Sequence, residues 1–292
     1  MSKSLLCLGM GYCAREFARR MRDLGWTVAG TTRSAEKAKQ LEGQGFRMVV
    51  FDGEGPLVDI DGLLAGVTHV LASIPPDDDG DPFLKLHGED LARHAGPMDW
   101  AGYLSTTGVY GDHAGAWVDE DAPTVPSTDR GGRRVLAEGQ WQALGARSGL
   151  PVHIFRLAGI YGPDGRNQIE AVRQGKARRI IKPNHFVGRV HRDDIVGILA
   201  ASVAKPNPGR VYNVADNEPS PPEEVIAYAA RLLGVETPPA IPFEEAELSA
   251  VARGFFAGSK RVCNARVREE LDYSFKYPTY REGLQALVAA AQ

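Results

Sequence analysis

Two glycines one residue apart, an arginine closing a strand-like run and a cluster of hydroxyl side chains are the residues of this chain best suited to chemistry. Gly9-Met10-Gly11-Tyr12-Cys13-Ala14 follows an apolar run of strand length, 4–8, and opens a helical pattern. In such a turn the first glycine permits the sharp bend. The second lets backbone N–H groups close on a phosphate at the helix N-terminus, and a small residue in Ala14's place keeps helix and strand close. Glycine turns also arise for packing alone. A second strand-like run, 27–31, leads into Thr32-Arg33-Ser34, with no acidic residue before Glu36. A ribose 2′-hydroxyl calls for a carboxylate at that place, whereas a 2′-phosphate calls for a cation and no acid. Arg33 can pair bidentately with phosphate and stack on adenine, with Thr32 and Ser34 as hydrogen-bond donors. The plain alternative is a solvated arginine. NADP, rather than NAD, is the dinucleotide expected.

The hydroxyl cluster is Ser105-Thr106-Thr107-Gly108-Val109-Tyr110-Gly111-Asp112, followed by Asp129-Arg130-Gly131-Gly132-Arg133-Arg134. Thr106, Thr107 and Tyr110 could bind or protonate a substrate oxygen. Arg130 and Arg134 could hold an anion, but a guanidinium stays protonated at any physiological pH and cannot act as a proton carrier. No tyrosine lies between Tyr110 and Tyr161. Further on come Arg156-Leu157-Ala158-Gly159-Ile160-Tyr161-Gly162-Pro163 and Gly188-Arg189-Val190-His191-Arg192-Asp193-Asp194. From Arg166 to Arg192 basic residues face Glu170 alone, which suits an anionic substrate or a solvated basic loop. Cys13 reads as a small filler rather than a reactive thiolate.

Taken together, these stretches resemble the extended short-chain dehydrogenase/reductase family of NAD-dependent epimerases and dehydratases. The closest fit is to its atypical subgroup, which keeps the glycine motif and lacks the catalytic Tyr and Lys. The resemblance runs from Leu6 to about Leu284. It implies a Rossmann-type doubly wound parallel α/β sheet with a smaller C-terminal substrate lobe. Residues 1–156 plus 191–216 would form the first domain and 157–190 plus 217–292 the second. Cofactor contacts implied are Gly9, Gly11, Tyr12, Cys13, Thr32, Arg33, the pair Asp52-Gly53 at the adenine, and Ser73, Ile74 and Pro75 along the ribose. Arg130 stands at the position of the family's Tyr. Arg134 stands at that of its Lys, where it could still hold the nicotinamide ribose. Thr106 would orient a substrate hydroxyl; Tyr110 is the nearest alternative acid, but the family carries a Tyr there that is usually packed beneath the sheet's end. Thr107, Tyr161, Arg166 and Arg189 would face the substrate. Two functions follow: an NADP-dependent oxidoreductase or epimerase on a sugar or sugar-nucleotide-like substrate, or a non-catalytic NADP(H)-binding sensor or scaffold. A homodimer pairing the helix over 130–148 is also implied.

The elements that must position these residues alternate. Strand-like runs at 4–8, 27–31, 46–51, 68–73, 103–106 and 153–160 interleave with helical patterns at 13–24, 35–44, 82–95 and 130–148, as in βαβ units on a parallel sheet. A helix over 193–203 and a strand over 210–214 returning to the sheet are expected, and the Pro-rich stretch 219–242 reads as loops and small elements. Hydrophobic content of 43%, charged content of 24% and a net charge of −3 offer no general attraction to nucleic acid or anionic membrane. Cys7, Cys13 and Cys263 form neither a zinc spacing nor a disulfide framework, and no run is long enough to span a bilayer. A cytoplasmic protein without resident metal is the expectation.

Overall fold

The computed structural model describes residues 3–165, 167–249 and 253–291. In chain order the elements are β1 (Ser4–Leu8), α1 (Tyr12–Asp23), β2 (Thr27–Thr32), α2 (Ala35–Glu42), β3 (Arg47–Val50), α3 (Ile60–Leu64), β4 (His69–Ala72), α4 (Pro82–Arg93) and β5 (Trp100–Thr106). Then follow β6 (Trp117–Val118), α5 (Asp129–Ser148), β7 (Val152–Leu157), β8 (Gly159–Tyr161), α6 (Gln168–Arg173), β9 (Arg179–Ile181), β10 (Arg189–His191), α7 (Arg192–Ala204) and β11 (Val211–Val214). The chain ends with α8 (Pro222–Leu233), β12 (Ala240–Pro242), β13 (Arg261–Val262), α9 (Ala265–Glu270) and α10 (Tyr280–Ala289). Contacts divide it into two compact units. The first comprises Met1–Ser105, Arg133–Arg156 and Leu199–Tyr212, and the second Thr106–Gly132, Leu157–Ile198 and Asn213–Gln292.

Seven strands form the main sheet in the order β11-β7-β5-β4-β1-β2-β3, and the sheet is parallel. The strand order reverses between β1 and β4. In open α/β sheets that switch point leaves a crevice beyond the strand ends, where ligands bind. β1 and β4 are almost wholly buried, so they read as continuous apolar runs rather than alternating ones. The core of the first unit gathers Leu6, Leu8, Phe83, Tyr103, Trp141 and Ile154. β11 does return to this sheet, as the sequence pattern suggests.

Three expectations need correction. β5 begins at Trp100, not at 103. Ala101 and Gly102 are weak strand formers, and the Trp100 indole lies over Gly102 where any β-carbon would collide, so packing overrides propensity. The run 153–160 is not one strand. It breaks at Ala158, whose N–H bonds the carbonyl of Val214, and the next three residues form β8 beside β10. The Pro-rich stretch 219–242 holds a 12-residue helix, α8. Pro221 and Pro222 sit at its cap and first turn, where a missing N–H costs nothing, and Gly234 ends it in a left-handed conformation.

In the second unit three small parallel pairs, β8–β10, β9–β12 and β6–β13, replace any large sheet. Tyr161, Ile169, Val225, Ala229, Tyr280 and Leu284 form its core.

Candidate functional site

The turn after β1 is held from both neighbouring strands, by β2 and by the residue that follows β4. Gly9 has φ +90°, and a β-carbon there would lie 3.0 Å from Ile74 Cγ1 and 3.1 Å from the Ile74 nitrogen. Its N–H donates to Thr31 Oγ1 at 2.8 Å, and its carbonyl accepts from Ser73 Oγ at 2.6 Å. Met10 N–H donates to the Thr31 carbonyl at 2.8 Å. Ser73 therefore shapes the turn, with its hydroxyl proton spent on Gly9. Gly11 then caps α1 without any side-chain hydrogen bond, and the first turn of α1 has no acidic residue. The other helices lying wholly within this unit differ: Ser34, Asp59 and Asp81 each cap theirs with a side-chain oxygen. Tyr12 is half-buried and Cys13 is buried as α1 opens. A helix N-terminus concentrates partial positive charge, so one left uncapped at a switch point is suited to a phosphate group.

Thr32 is buried at the end of β2, and Arg33 stands exposed next to it with no hydrogen bond or ion pair among the described residues. Ser34 Oγ accepts the Lys37 N–H. Asp52 is exposed and accepts the Glu54 N–H at 2.9 Å, and Gly53 follows with φ +88°. Ile74 is half-buried against Gly9, and Pro75 is exposed.

Beyond these, the first unit holds a buried ionic group that the sequence pattern does not reveal. Arg156 on β7 pairs with Glu138 on α5, Nη2 to Oε2 at 2.8 Å, with Nε within 3.2 Å of both carboxylate oxygens. Ser105 Oγ donates to Glu138 Oε1 at 2.5 Å. All three are buried. Two opposite charges inside otherwise apolar stretches were the only signal available. Arg134 donates from Nη1 to the Leu104 carbonyl at 2.6 Å and to the Tyr103 hydroxyl at 3.0 Å. Tyr103 stacks on Trp141, and burial pushes its phenol up, with Arg134 opposing. Arg134 thus braces the C-terminal half of β5.

In the second unit Thr106 caps a short 3₁₀ turn over Thr107–Tyr110, its Oγ1 accepting the Gly108 N–H at 3.1 Å. Thr106 and Thr107 are half-buried. Tyr110 is fully buried, and its hydroxyl donates to Asn213 Oδ1 at 2.7 Å. Asn213 N–H donates in turn to Glu120 Oε1 at 2.7 Å, and burial raises the Glu120 carboxyl. Gly111, φ +71°, has no room for a β-carbon against the Val125 carbonyl. Arg130 is exposed in the first turn of α5, without a partner among the described residues.

Tyr161 is buried against His191, rings edge to face at 5.2 Å, with its hydroxyl 3.4 Å from the Thr279 carbonyl. Burial pushes that phenol up as well. His191 Nδ1 accepts the Asp193 N–H at 3.1 Å, and burial lowers the imidazole to about 4. Asp194 receives Tyr273 Oη and the N–H groups of Lys276 and Tyr277. This pair anchors α7 and the segment before α10. Arg189 is buried and donates to Ser220 Oγ at 2.9 Å. Arg166 lies outside the described residues. Much of the basic stretch is engaged within the unit: Arg178 with the Glu247 carbonyl, Lys182 with the Phe256 carbonyl, and Arg192 with Asp164 and Asp193.

The parallel sheet with its glycine turn at the switch point is the Rossmann-type fold of the NAD-dependent epimerase/dehydratase enzymes. A dTDP-glucose 4,6-dehydratase from Bacillus anthracis, solved with NAD, superposes with a TM-score of 0.77 at 17% identity over 99% of this chain and 96% of that one. The chain belongs to the same family as a conserved protein of unknown function from Silicibacter pomeroyi, 48% identical over the whole of both chains with a TM-score of 0.90. A 3-diazoavenalumate denitrifying reductase from Streptomyces is 30% identical over 183 residues, 57% of this chain and 58% of that protein. No family model matches the chain.

Proposed function

We propose that the chain is an NADP(H)-binding oxidoreductase or epimerase acting on a sugar or sugar-nucleotide-like substrate through a non-standard active site. The observation that carries this reading is the exposed Arg33 at the end of β2, without a partner among the described residues, with a helix N-terminus after β1 that has no side-chain cap. Arg33 would take the 2′-phosphate and the first turn of α1 the pyrophosphate. The dinucleotide supplies a hydride acceptor or donor when bound. Thr106 keeps a hydroxyl proton while its oxygen accepts from Gly108, so it can still donate to a substrate oxygen. Tyr110 and Tyr161 have their hydroxyls directed to protein oxygens, and Arg130 and Arg134 cannot carry protons. A relative named as a reductase favours reduction over epimerisation. The proposal takes the substrate to be an anionic small molecule and the protein to be a cytoplasmic homodimer. Among the described residues no helix is long and apolar enough to cross a membrane.

A second reading is favoured by the bracing of Arg134 against β5: an NADP(H)-binding sensor or scaffold without turnover. Fluorescence titration with NADPH and with NADH tests the shared premise. NADPH should bind more tightly, and Arg33→Ala should erase the difference by about 10–100-fold, the worth of a charge-assisted contact. Equal affinities before substitution would remove the NADP assignment. Consumption of NADPH with a panel of carbonyl sugars then separates enzyme from sensor.

A further inference from the structure

Thr31, on β2, and Ser73, just beyond β4, stand on either side of β1, and each spends two groups on the glycine turn. Thr31 accepts the Gly9 N–H on its side-chain oxygen and the Met10 N–H on its carbonyl, both at 2.8 Å. Ser73 donates its N–H to the Leu8 carbonyl at 2.8 Å and its hydroxyl to the Gly9 carbonyl at 2.6 Å. Sorted by peptide unit, the four bonds form a closed pattern. The Leu8–Gly9 peptide is held at its carbonyl by Ser73 and at its N–H by Thr31. The Gly9–Met10 peptide is held in the same way, its carbonyl by Ser73 and its N–H by Thr31.

A planar peptide bonded at both its carbonyl and its N–H has no freedom to turn over. That restraint matters most at a glycine, which otherwise visits many conformations and loses the most freedom when fixed. Gly9, with φ +90°, is the residue at which the two held peptides meet. Two of the four bonds are made by backbone groups and survive substitution of the side chains. The other two require the hydroxyls, and these are not equivalent. Without the Thr31 hydroxyl the Gly9 N–H loses its acceptor. Without the Ser73 hydroxyl the Gly9 carbonyl still accepts the Gly11 N–H at 2.9 Å. Thr31 is 1% exposed, so its oxygen serves the turn and not a ligand.

We propose that Thr31 and Ser73 are positioning residues for the dinucleotide, their hydroxyls clamping the two peptides that meet at Gly9 so that the turn is set before the pyrophosphate arrives. This rests on the reading of the turn as a dinucleotide site. Ordering done in advance lowers the cost of binding and so raises affinity. The clamp acts at the pyrophosphate, which NADPH and NADH share. It therefore sets an affinity common to both nucleotides, while Arg33 sets the choice between them.

The test is titration of the full chain and of Thr31→Val, Thr31→Ser and Ser73→Ala with NADPH and with NADH, alongside amide hydrogen exchange of each protein without nucleotide. In Thr31→Val both affinities should fall by the same factor, about tenfold, leaving their ratio as in the parent. Ser73→Ala should lower both by about threefold, because the Gly9 carbonyl keeps its bond from Gly11. Thr31→Ser keeps the hydroxyl and should restore the parent's affinities. Exchange at Gly9, Met10 and Gly11 should quicken in Thr31→Val and Ser73→Ala, while the later turns of α1 keep their protection. Ser73 is half-buried, so Ser73→Ala serves if Thr31→Val does not fold. Parent-like affinities in a folded variant whose turn exchanges faster would overturn the proposal and leave the hydroxyls as structural ties. A changed ratio of NADPH to NADH affinity would overturn it too, by moving the effect to the 2′-phosphate. If the parent binds neither nucleotide, the dinucleotide reading and the proposal fall together. Binding by the parent that both variants keep in full removes the proposal alone.

Discussion

The turns that follow β1 and β5 are both short, glycine-bearing and fixed by hydrogen bonds, yet they are fixed for opposite ends. After β1, side chains from β2 and from the residue beyond β4 hold the turn from behind, through Thr31 and Ser73, and the helix end itself receives no side-chain cap. After β5, Thr106 caps its own turn, and Tyr110 is tied to Asn213. In the proposed function the first turn is the one that takes an anion. The second has its phenol committed to the fold. The two turns thus depend on different residues, so a substitution can disturb one and leave the other in place.

The largest effect that separates the two should come from Arg156→Ala. It leaves Glu138 charged and buried without its partner, which costs about 3–5 kcal/mol. Denaturant unfolding should show that loss. Ser105 hangs on the same carboxylate, so the end of β5 should lose amide-exchange protection more than β1 and β2 do. Equal loss across all strands would mean that the ion pair supports the whole unit rather than β5.

Next in size is the contrast between Gly9→Ala and Gly11→Ala. Gly9 has a positive φ and a crowded β-carbon position, so its replacement should cost about 1–3 kcal/mol and abolish nucleotide binding. At Gly11 a β-carbon would come no closer than 3.9 Å, to Ser73 Oγ. That variant should keep nearly all its stability and lose NADPH affinity alone, because the added methyl stands where a pyrophosphate must approach. Undiminished NADPH affinity in Gly11→Ala would show that the turn is architectural, whatever Gly9→Ala does.

Legibility differed between the same two regions. Gly9, Gly11 and the strand-helix alternation around them could be read because the turn is local: backbone geometry, helix start and apolar strand lie within about a dozen consecutive residues. Arg33 could be placed for the same reason, as a neighbour of a strand end. The Glu138–Arg156–Ser105 group could not be read, because it joins three elements distant in sequence, and nothing in the local pattern marks a charge as paired. Nor could the partner of Tyr110, since Asn213 is 103 residues away. The helix α8 was hidden by its prolines, which break helices in the interior but start them at the first turn.

The smallest effect is the most decisive for the turn after β5. Tyr110→Phe keeps the ring that fills the core and removes only the hydroxyl that donates to Asn213 Oδ1. Loss of one buried hydrogen bond should cost about 1 kcal/mol in denaturant unfolding, and NADPH affinity should not change. A phenol acting as general acid predicts the reverse, because its removal typically lowers turnover 10²–10⁴-fold, roughly 3–5 kcal/mol of barrier. Turnover of any substrate found in the carbonyl-sugar screen therefore decides the matter in the same variant. Stability reduced with turnover intact makes Tyr110 a structural tie between the 3₁₀ turn and β11. Turnover lost with stability intact would return the proton-transfer role to this turn, and the contrast between the two turns would collapse.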